Sequence, residues 1–287
     1  MLPAMPARPR VAIVGAGRLG STLARELARH GYRVSEIVSS GRHNSVRSAR
    51  ELAKKVRARL ASRQTAYLDA NLIWFCVPDR TIAAAAQQLA DTTIWKGKVA
   101  FHSSGALTSD ELASLRRRGA AVASVHPFMT FVRGSMPSLQ GVPFGLEGDT
   151  VALRVARRIV RDLGGEVISI PKNRKVAYHA WGTFASPLLV ALLAITEQAA
   201  RLAGISAATS RRKMLPIIRQ TLENYARLGP AAAFSGPIVR GDAGIVRQHL
   251  HVLSRIPQAS AAYKVLAQSA LRYLPVENRK ELRKILG

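Results

Sequence analysis

The chain has 287 residues, enough for two domains or one large one. With 48% hydrophobic and 21% charged residues it can bury a sizeable core, which excludes a disordered or collagen-like polymer. A single cysteine, Cys76, excludes an internal disulfide framework and a cysteine-based zinc site, and the 43 Lys and Arg against 17 Asp and Glu give a formal net charge of +26.

Such a balance favours anionic partners. The basic residues are nevertheless scattered, and the longest runs are only Arg116-Arg117-Arg118 and Arg211-Arg212-Lys213. A solvated basic surface is therefore the expected reading, and nucleic acid is not the expected partner. Met1–Arg10 is Pro-rich and lacks the apolar stretch of a secretory signal.

The first half alternates strand and helix. Arg10–Val14 is a short β-branched apolar run, and Ser21–His30 carries Leu23, Ala24, Leu27 and Ala28 on one helical face. A second strand is expected at Val34–Val38, a basic helix at Ser45–Ala61 and a short strand at Thr65–Leu68. Leu72–Val77 is continuously apolar, as in a central parallel strand buried on both faces. Asp79 is expected to cap a helix beginning near Thr81. Val99–His102 and Val122–His126 read as strands separated by a helix near Ser109–Arg118. Phe144–Glu147 and Glu166–Ile170 flank a helix at Thr150–Leu163. This alternation predicts a doubly wound, mostly parallel α/β sheet over 8–170.

After Pro171 only helices are expected, at Lys172–Ala203, Ser206–Leu228, Ala243–Leu253 and Pro257–Tyr273, giving an all-helical domain over 171–287. The most apolar run, Ala180–Ile195, is shorter than the ~20 residues of a membrane span and contains Pro187, so a buried helix is expected and no membrane partner. Gly229–Asp242, with Gly-Pro at Gly229 and Gly236, reads as a loop.

Gly15-Ala16-Gly17-Arg18-Leu19-Gly20 follows the first strand and opens the first helix, the context that gives a G-x-G-x-x-G motif its meaning. Gly15 permits the tight turn, Gly17 lets a pyrophosphate approach the backbone, and Gly20 lets helix and strand pack closely. The second strand ends Val38-Ser39-Ser40-Gly41-Arg42, without the carboxylate that holds the ribose hydroxyls of NAD. Ser39, Ser40 and Arg42, with Arg18 in the loop, suit the 2′-phosphate of NADP instead.

In an open parallel sheet, ligands sit outside the carboxyl ends of the strands. Those ends are Val77-Pro78-Asp79, His102-Ser103-Ser104-Gly105 and His126-Pro127. Val77 and Pro78 join the cofactor set, and His102, Ser103 and His126 are expected near the substrate. His102 could equally order the turn after it, and His126 could be structural before Pro127. Lys175 and His179 share a helix face and are the first acid–base candidates, against a solvated Lys175 and a His179 packed beside Tyr178 and Trp181. Ser186 extends that face, beside Pro187, which should kink or interrupt the helix. Arg240 suits an anionic substrate or cofactor phosphate, or stabilises its own loop. Asp242 is expected to cap the helix that follows. No histidine spacing suggests a metal site.

Together, Gly-Ala-Gly-Arg-Leu-Gly, Val-Pro-Asp, His-Ser-Ser-Gly, Val-His-Pro, Tyr178-His179-Ala180 and Ser235-Gly-Pro-Ile-Val-Arg-Gly-Asp242 resemble a bacterial family. Its members pair a Rossmann-like domain with a C-terminal domain of unknown function, number 2520, and the resemblance runs from about Arg10 to about Pro275. More distantly the layout resembles pyrroline-5-carboxylate reductases, deazaflavin-dependent NADP reductases and 6-phosphogluconate dehydrogenases. That resemblance implies an all-helical second domain that forms a homodimer and helps close the active site. The 6-phosphogluconate and β-hydroxyacid dehydrogenases use a Lys and, four residues later, an Asn at the start of the long helix. This chain has that spacing but His179 in place of Asn, and Pro187 stands where the 2520-type pattern has Asn after the serine. The expectation is a cytoplasmic, homodimeric NADP(H)-dependent oxidoreductase moving a hydride to or from a small carbonyl, imine or alcohol. The alternative is a non-catalytic NADP sensor or scaffold.

Overall fold

The computed structural model describes residues 8–41 and 43–287. The expectations placed on Arg42 and on most of the Met1–Arg10 segment lie outside the described residues. The chain divides into two compact units, Met1–Thr183 and Phe184–Gly287.

The first unit runs β1 (Val11–Val14), α1 (Arg18–Arg29), β2 (Val34–Ser39), α2 (His43–Val56), β3 (Arg59–Ser62), β4 (Leu72–Phe75), α3 (Ile82–Leu89), β5 (Val99–His102), α4 (Ala113–Arg116), β6 (Ala121–Pro127), β7 (Pro143–Gly148), α5 (Thr150–Asp162), β8 (Glu166–Ser169) and α6 (Lys175–Thr183). The strands form one sheet of order β3-β2-β1-β4-β5-β6-β7-β8. All neighbours are parallel except β6 and β7. The order reverses between β1 and β4, so the crevice outside their carboxyl ends is the switch point where such sheets bind ligands.

Side-chain alternation explains the two layers. Val11, Ile13, Leu72 and Trp74 point into one core with α1, α2 and α5. Ala12, Val14, Ile73 and Phe75 point into the other with α3 and α4. Both cores are needed because a parallel sheet is covered on both faces.

Two local expectations fail for identifiable reasons. The basic helix stops at Val56 rather than Ala61, since Arg57 adopts φ 53° and ends it. The chain then enters β3, where Leu60 and Ala61 pair with Ile37 and Val38. Arg59 also donates to the buried Glu36 at 2.6 Å. Thr65–Leu68, expected as a strand, instead turns: Thr65 bonds to Ser62 and Leu68 sits at φ 51°.

The second unit contains a π-helical turn (Phe184–Leu188), α7 (Leu189–Leu202), α8 (Ala207–Ala233), α9 (Ala243–Leu253), α10 (Pro257–Tyr273) and α11 (Arg279–Leu286). Pro187 lies in the π turn, where its missing N–H is accommodated. α8 outlasts its expected end but breaks at Gly229, φ 77°. Val246, Ala267, Leu271, Leu282 and Leu286 pack α9, α10 and the unforeseen α11 together.

The expected burial of Ala180–Ile195 is not found: no residue of that run is buried. The helical stretch Lys172–Leu202 is also long and apolar enough to cross a membrane by length and composition alone, with mean hydropathy 1.4.

Candidate active site

The glycine loop is shaped by close contacts. Gly15 donates its N–H to the carbonyl of Val38 at 2.8 Å and adopts φ 104°, a conformation L side chains rarely take. A Cβ on Gly20 would lie 2.0 Å from the Gly15 carbonyl oxygen and 3.1 Å from Cys76 Cβ, so only glycine lets α1 start this close to the strand ends. Gly17 is the opposite case: a Cβ there would meet nothing within 4 Å. Buried Ala16 and part-buried Leu19 anchor the loop to the sheet.

The start of α1 has neither a side-chain cap nor an acidic residue in its first turn. Its free N–H groups and the positive end of its dipole therefore face open space beside Gly17. These features fit the pyrophosphate of a dinucleotide. Exposed Arg18 has no ion-pair partner among the described residues. At the end of β2, Ser39 is buried and accepts from Gly41 N at 3.4 Å, while Ser40 is exposed. The one carboxylate on β2, Glu36, is buried and committed to Arg59 and to the N–H of Leu68. Val77 packs against Gly15, and Pro78 is exposed after β4. Asp79 caps nothing with its side chain; it accepts from Ser104 Oγ at 2.7 Å.

The ends of β5 and β6 and the start of α6 build a second cluster in the same unit. His102 is fully buried. Its Nε2 lies 2.9 Å from the Thr108 carbonyl and its Nδ1 accepts from Ser104 N at 3.1 Å. Desolvation holds its pKa down to about 4, with a smaller push from Lys175. Both nitrogens are thus used to order the turn after β5, which departs from the substrate-facing role expected of this residue. Ser103 is similarly occupied: it accepts from the Trp74 indole at 2.8 Å and bonds the Cys76 thiol.

Lys175, one of the acid–base candidates, is 1% exposed. Its ammonium donates to Ser104 O at 3.0 Å and to Ser124 Oγ at 2.6 Å, tying the turn after β5 and the middle of β6 to α6. Burial pushes its pKa down to about 8, against the raising influence of Glu147 and Asp79. Glu147 is itself buried and takes both the N–H and the hydroxyl of Ser109. His126 is half-buried, its Nδ1 2.9 Å from Tyr178 Oη, and its pKa is pushed to about 3, chiefly by desolvation. His179 is exposed, its ring 6.1 Å from that of His126. Gly105 makes room for both: a Cβ there would come within 2.5 Å of His179 Cδ2 and 3.0 Å of His126 Nε2. Beside them Trp181, 54% exposed, stacks on Phe128 at 4.3 Å.

The structure thus brings together Lys175, His126 and His179 and adds Ser104, Ser124, Gly105 and Tyr178, which sequence reasoning did not select. Tyr178 had a detectable signal in its place three residues after Lys175 on one helix. Ser124, an isolated hydroxyl in an apolar strand, had a weaker one. Ser186 lies in the π turn of the second unit. Arg240 in that unit pairs with Asp242 at 2.8 Å, the loop-stabilising alternative, and Asp242 makes no side-chain cap. Among the described residues no three His, Cys, Asp or Glu converge as metal ligands.

Comparison with known proteins agrees with this architecture. A model of a Rossmann-like domain matches residues 3–127, and the domain of unknown function DUF2520 matches residues 142–270. The chain is a Rossmann-like protein with a DUF2520 domain. Among solved structures it is similar to a Bacteroides fragilis protein with the provisional description NADP oxidoreductase, at 22% identity and TM-score 0.75, covering 92% of this chain and 98% of that one. It is also similar to a reductive aminase from Aspergillus terreus in complex with NADPH and ethyl-5-oxohexanoate, at 16% identity and TM-score 0.68, covering 96% and 99%. A third is a pyrroline-5-carboxylate reductase from Coxiella burnetii, at 14% identity and TM-score 0.58, covering 91% and 98%. At these identities the likeness is one of fold. No curated protein matches the sequence.

Proposed function

We propose that this protein is an NADP(H)-dependent oxidoreductase acting on a small carbonyl, imine or alcohol. One observation carries the reading. The dinucleotide loop after β1 and the proton-bearing cluster after β5 and β6 and on α6 lie at the same carboxyl edge of one sheet. The NADPH in the Aspergillus terreus reductive aminase complex and the description of the Bacteroides fragilis protein support it.

Gly15, Gly17, Gly20 and the first N–H groups of α1 would hold the pyrophosphate, with Ala16, Leu19, Val77 and Pro78 shaping the floor. Arg18, Ser39, Ser40 and Arg42 would take the 2′-phosphate, since β2 offers no free carboxylate to ribose. When bound, the nicotinamide supplies the hydride. The chain supplies the rest. Lys175 fixes the strand ends and keeps the site electropositive. His126 and His179 line the substrate side, His126 as a hydrogen-bonding group and exposed His179 as the one that passes the proton. The apolar residues that the second unit leaves exposed, among them Phe184, Val190, Ile217 and Tyr225, support a homodimer through its helices. A cytoplasmic location fits a protein with one free, part-buried thiol and a cofactor that is a cellular reductant.

The test is NADPH consumption on a panel of small ketones, aldehydes and cyclic imines, with His179→Ala alongside. Turnover by the wild type, cut at least tenfold in the variant with NADPH affinity kept, is expected. Tight NADPH binding with no turnover on any member of the panel would favour the sensor or scaffold instead.

A further inference from the structure

The cluster fixes more than its membership; it fixes where one proton sits. Tyr178 Oη is 2.9 Å from His126 Nδ1 and 3.5 Å from the His126 carbonyl oxygen, and the Gly145 backbone N–H donates to it. Burial raises the Tyr178 pKa to about 12, so the phenol keeps its proton. A hydroxyl has one proton to give. At 3.5 Å the carbonyl is at the limit of a hydrogen bond, whereas Nδ1 is at full strength distance. The phenol therefore donates to Nδ1, Nδ1 accepts, and the ring proton of a neutral imidazole must lie on Nε2.

The groups facing His126 reinforce the neutral state. The ammonium of Lys175 and the rings of His179 and His102 surround it, and no carboxylate pairs with it among the described residues. The Nε2 edge borders the space that a Cβ on Gly105 would fill, opposite His179. Nε2 makes no hydrogen bond within the first unit among the described residues. The carboxylates that act on neighbouring Lys175 are already taken: Asp79 by Ser104 Oγ and Glu147 by Ser109.

We propose that His126 is a neutral hydrogen-bond donor, through Nε2–H, to a substrate carbonyl oxygen, and that Tyr178 is the positioning residue that locks it in this tautomer. The inference rests on the oxidoreductase reading and narrows its substrate class. A corner built of donors and a cation stabilises the negative charge that develops on a carbonyl oxygen. It offers nothing to a protonated imine, which needs an acceptor or a carboxylate. The class is therefore a ketone or aldehyde reduced to an alcohol, or the reverse. In reduction the carbonyl carbon gains the hydride and its electron pair from NADPH, and the C=O π pair moves onto oxygen. That oxygen takes one proton from solvent by way of His179, giving alcohol and NADP. His126 keeps its own proton throughout.

Long-range proton–nitrogen NMR of protein labelled with 15N-histidine reads the tautomer without any substrate, the His126 signals being identified by their loss in His126→Asn. The expected spectrum shows the Nε2–H form, unchanged from pH 5 to pH 8. Tyr178→Phe is expected to give a mixture of tautomers and to raise the titration midpoint. An Nδ1–H form, or an imidazolium at pH 6, in the wild type overturns the proposal, and that spectrum decides even if Tyr178→Phe does not fold. For the substrate class, NADPH consumption with cyclohexanone and other small ketones is expected to exceed that with matched cyclic imines at least tenfold. Imine reduction at an equal or higher rate, or NADPH binding without ketone reduction, overturns the class. A calorimetric titration on the same samples keeps the two readings apart. If NADPH does not bind, the oxidoreductase reading fails while the tautomer result stands on its own.

Discussion

Two Gly→Ala substitutions three residues apart should behave as opposites, because the glycine loop uses Gly17 and Gly20 for different ends. At position 20 the added methyl would sit 2.0 Å from the carbonyl oxygen of Gly15, over 1 Å inside ordinary contact, and 3.1 Å from Cys76 Cβ. Both obstacles are backbone or backbone-proximal, so α1 must move. Overpacking of this kind costs about 1–3 kcal/mol, and a rigid backbone obstacle puts Gly20→Ala near the top of that range. At roughly 2–4 °C per kcal/mol for a chain of this size, the melting temperature should fall by about 6–12 °C. At position 17 the methyl meets nothing within 4 Å, and φ is −70°, so the fold tolerates it. The cost is the poorer N-cap, on the order of 0.5–1 kcal/mol. The same methyl, however, stands where a pyrophosphate would approach the backbone, so NADPH affinity should drop at least tenfold, about 1.4 kcal/mol or more. Scanning calorimetry and NADPH titration on the two variants check both halves. Gly17→Ala losing as much stability as Gly20→Ala, or binding NADPH like the wild type, would refute the assignment of the loop.

The buried titratable groups predict a stability profile. His102 and His126 have pKa values held to about 4 and about 3, against about 6.5 in an unfolded chain, so between these limits the unfolded state binds more protons. Stability should be full above pH 6.5 and decline as pH falls towards 4; urea midpoints unchanged from pH 7 to pH 4.5 would contradict this. Lys175 works in the alkaline range. Its pKa of about 8 lies below the ordinary lysine value of 10.5, so its burial is unfavourable at neutral pH and is relieved as pH rises from 8 to 10.5. Lys175→Met removes a buried charge at similar volume and leaves Ser124 Oγ bonded to Ser104 O at 3.0 Å. It should equal or exceed the wild type in stability at pH 7, with the alkaline gain abolished. A loss of several kcal/mol at pH 7 would show the lysine to be a structural keystone.

The glycine loop and the central strands were legible because their signals are local. Leu72–Val77 is apolar at every position, and a strand covered on both faces demands that. The glycines carry their spacing in the chain. Lys175 was not legible as a buried residue, because its partners, Ser104 O after β5 and Ser124 Oγ within β6, lie far away in sequence. A lysine near a helix start reads as solvated until those acceptors are seen. The roles of His102 and His126 divide for the same reason. Both end strands, yet Thr108 and Ser104 enclose the first, whereas Tyr178 holds one nitrogen of the second and leaves the other open. β3 escaped because a run of helix-favouring residues, Ser45–Ala61, hides the turn at Arg57. The apolar run Ala180–Ile195, read as a core helix, has no buried residue, since periodicity reports that a face is apolar but not what covers it.

We propose an NADP site at the edge of the sheet after β1 and β2. Isothermal titration of the purified protein with NADPH and separately with NADH tests it most directly. Micromolar NADPH binding, with NADH at least tenfold weaker and the difference largely lost in Arg42→Ala, is the predicted result. Binding of neither nucleotide, or of NADH as tightly as NADPH, would contradict it.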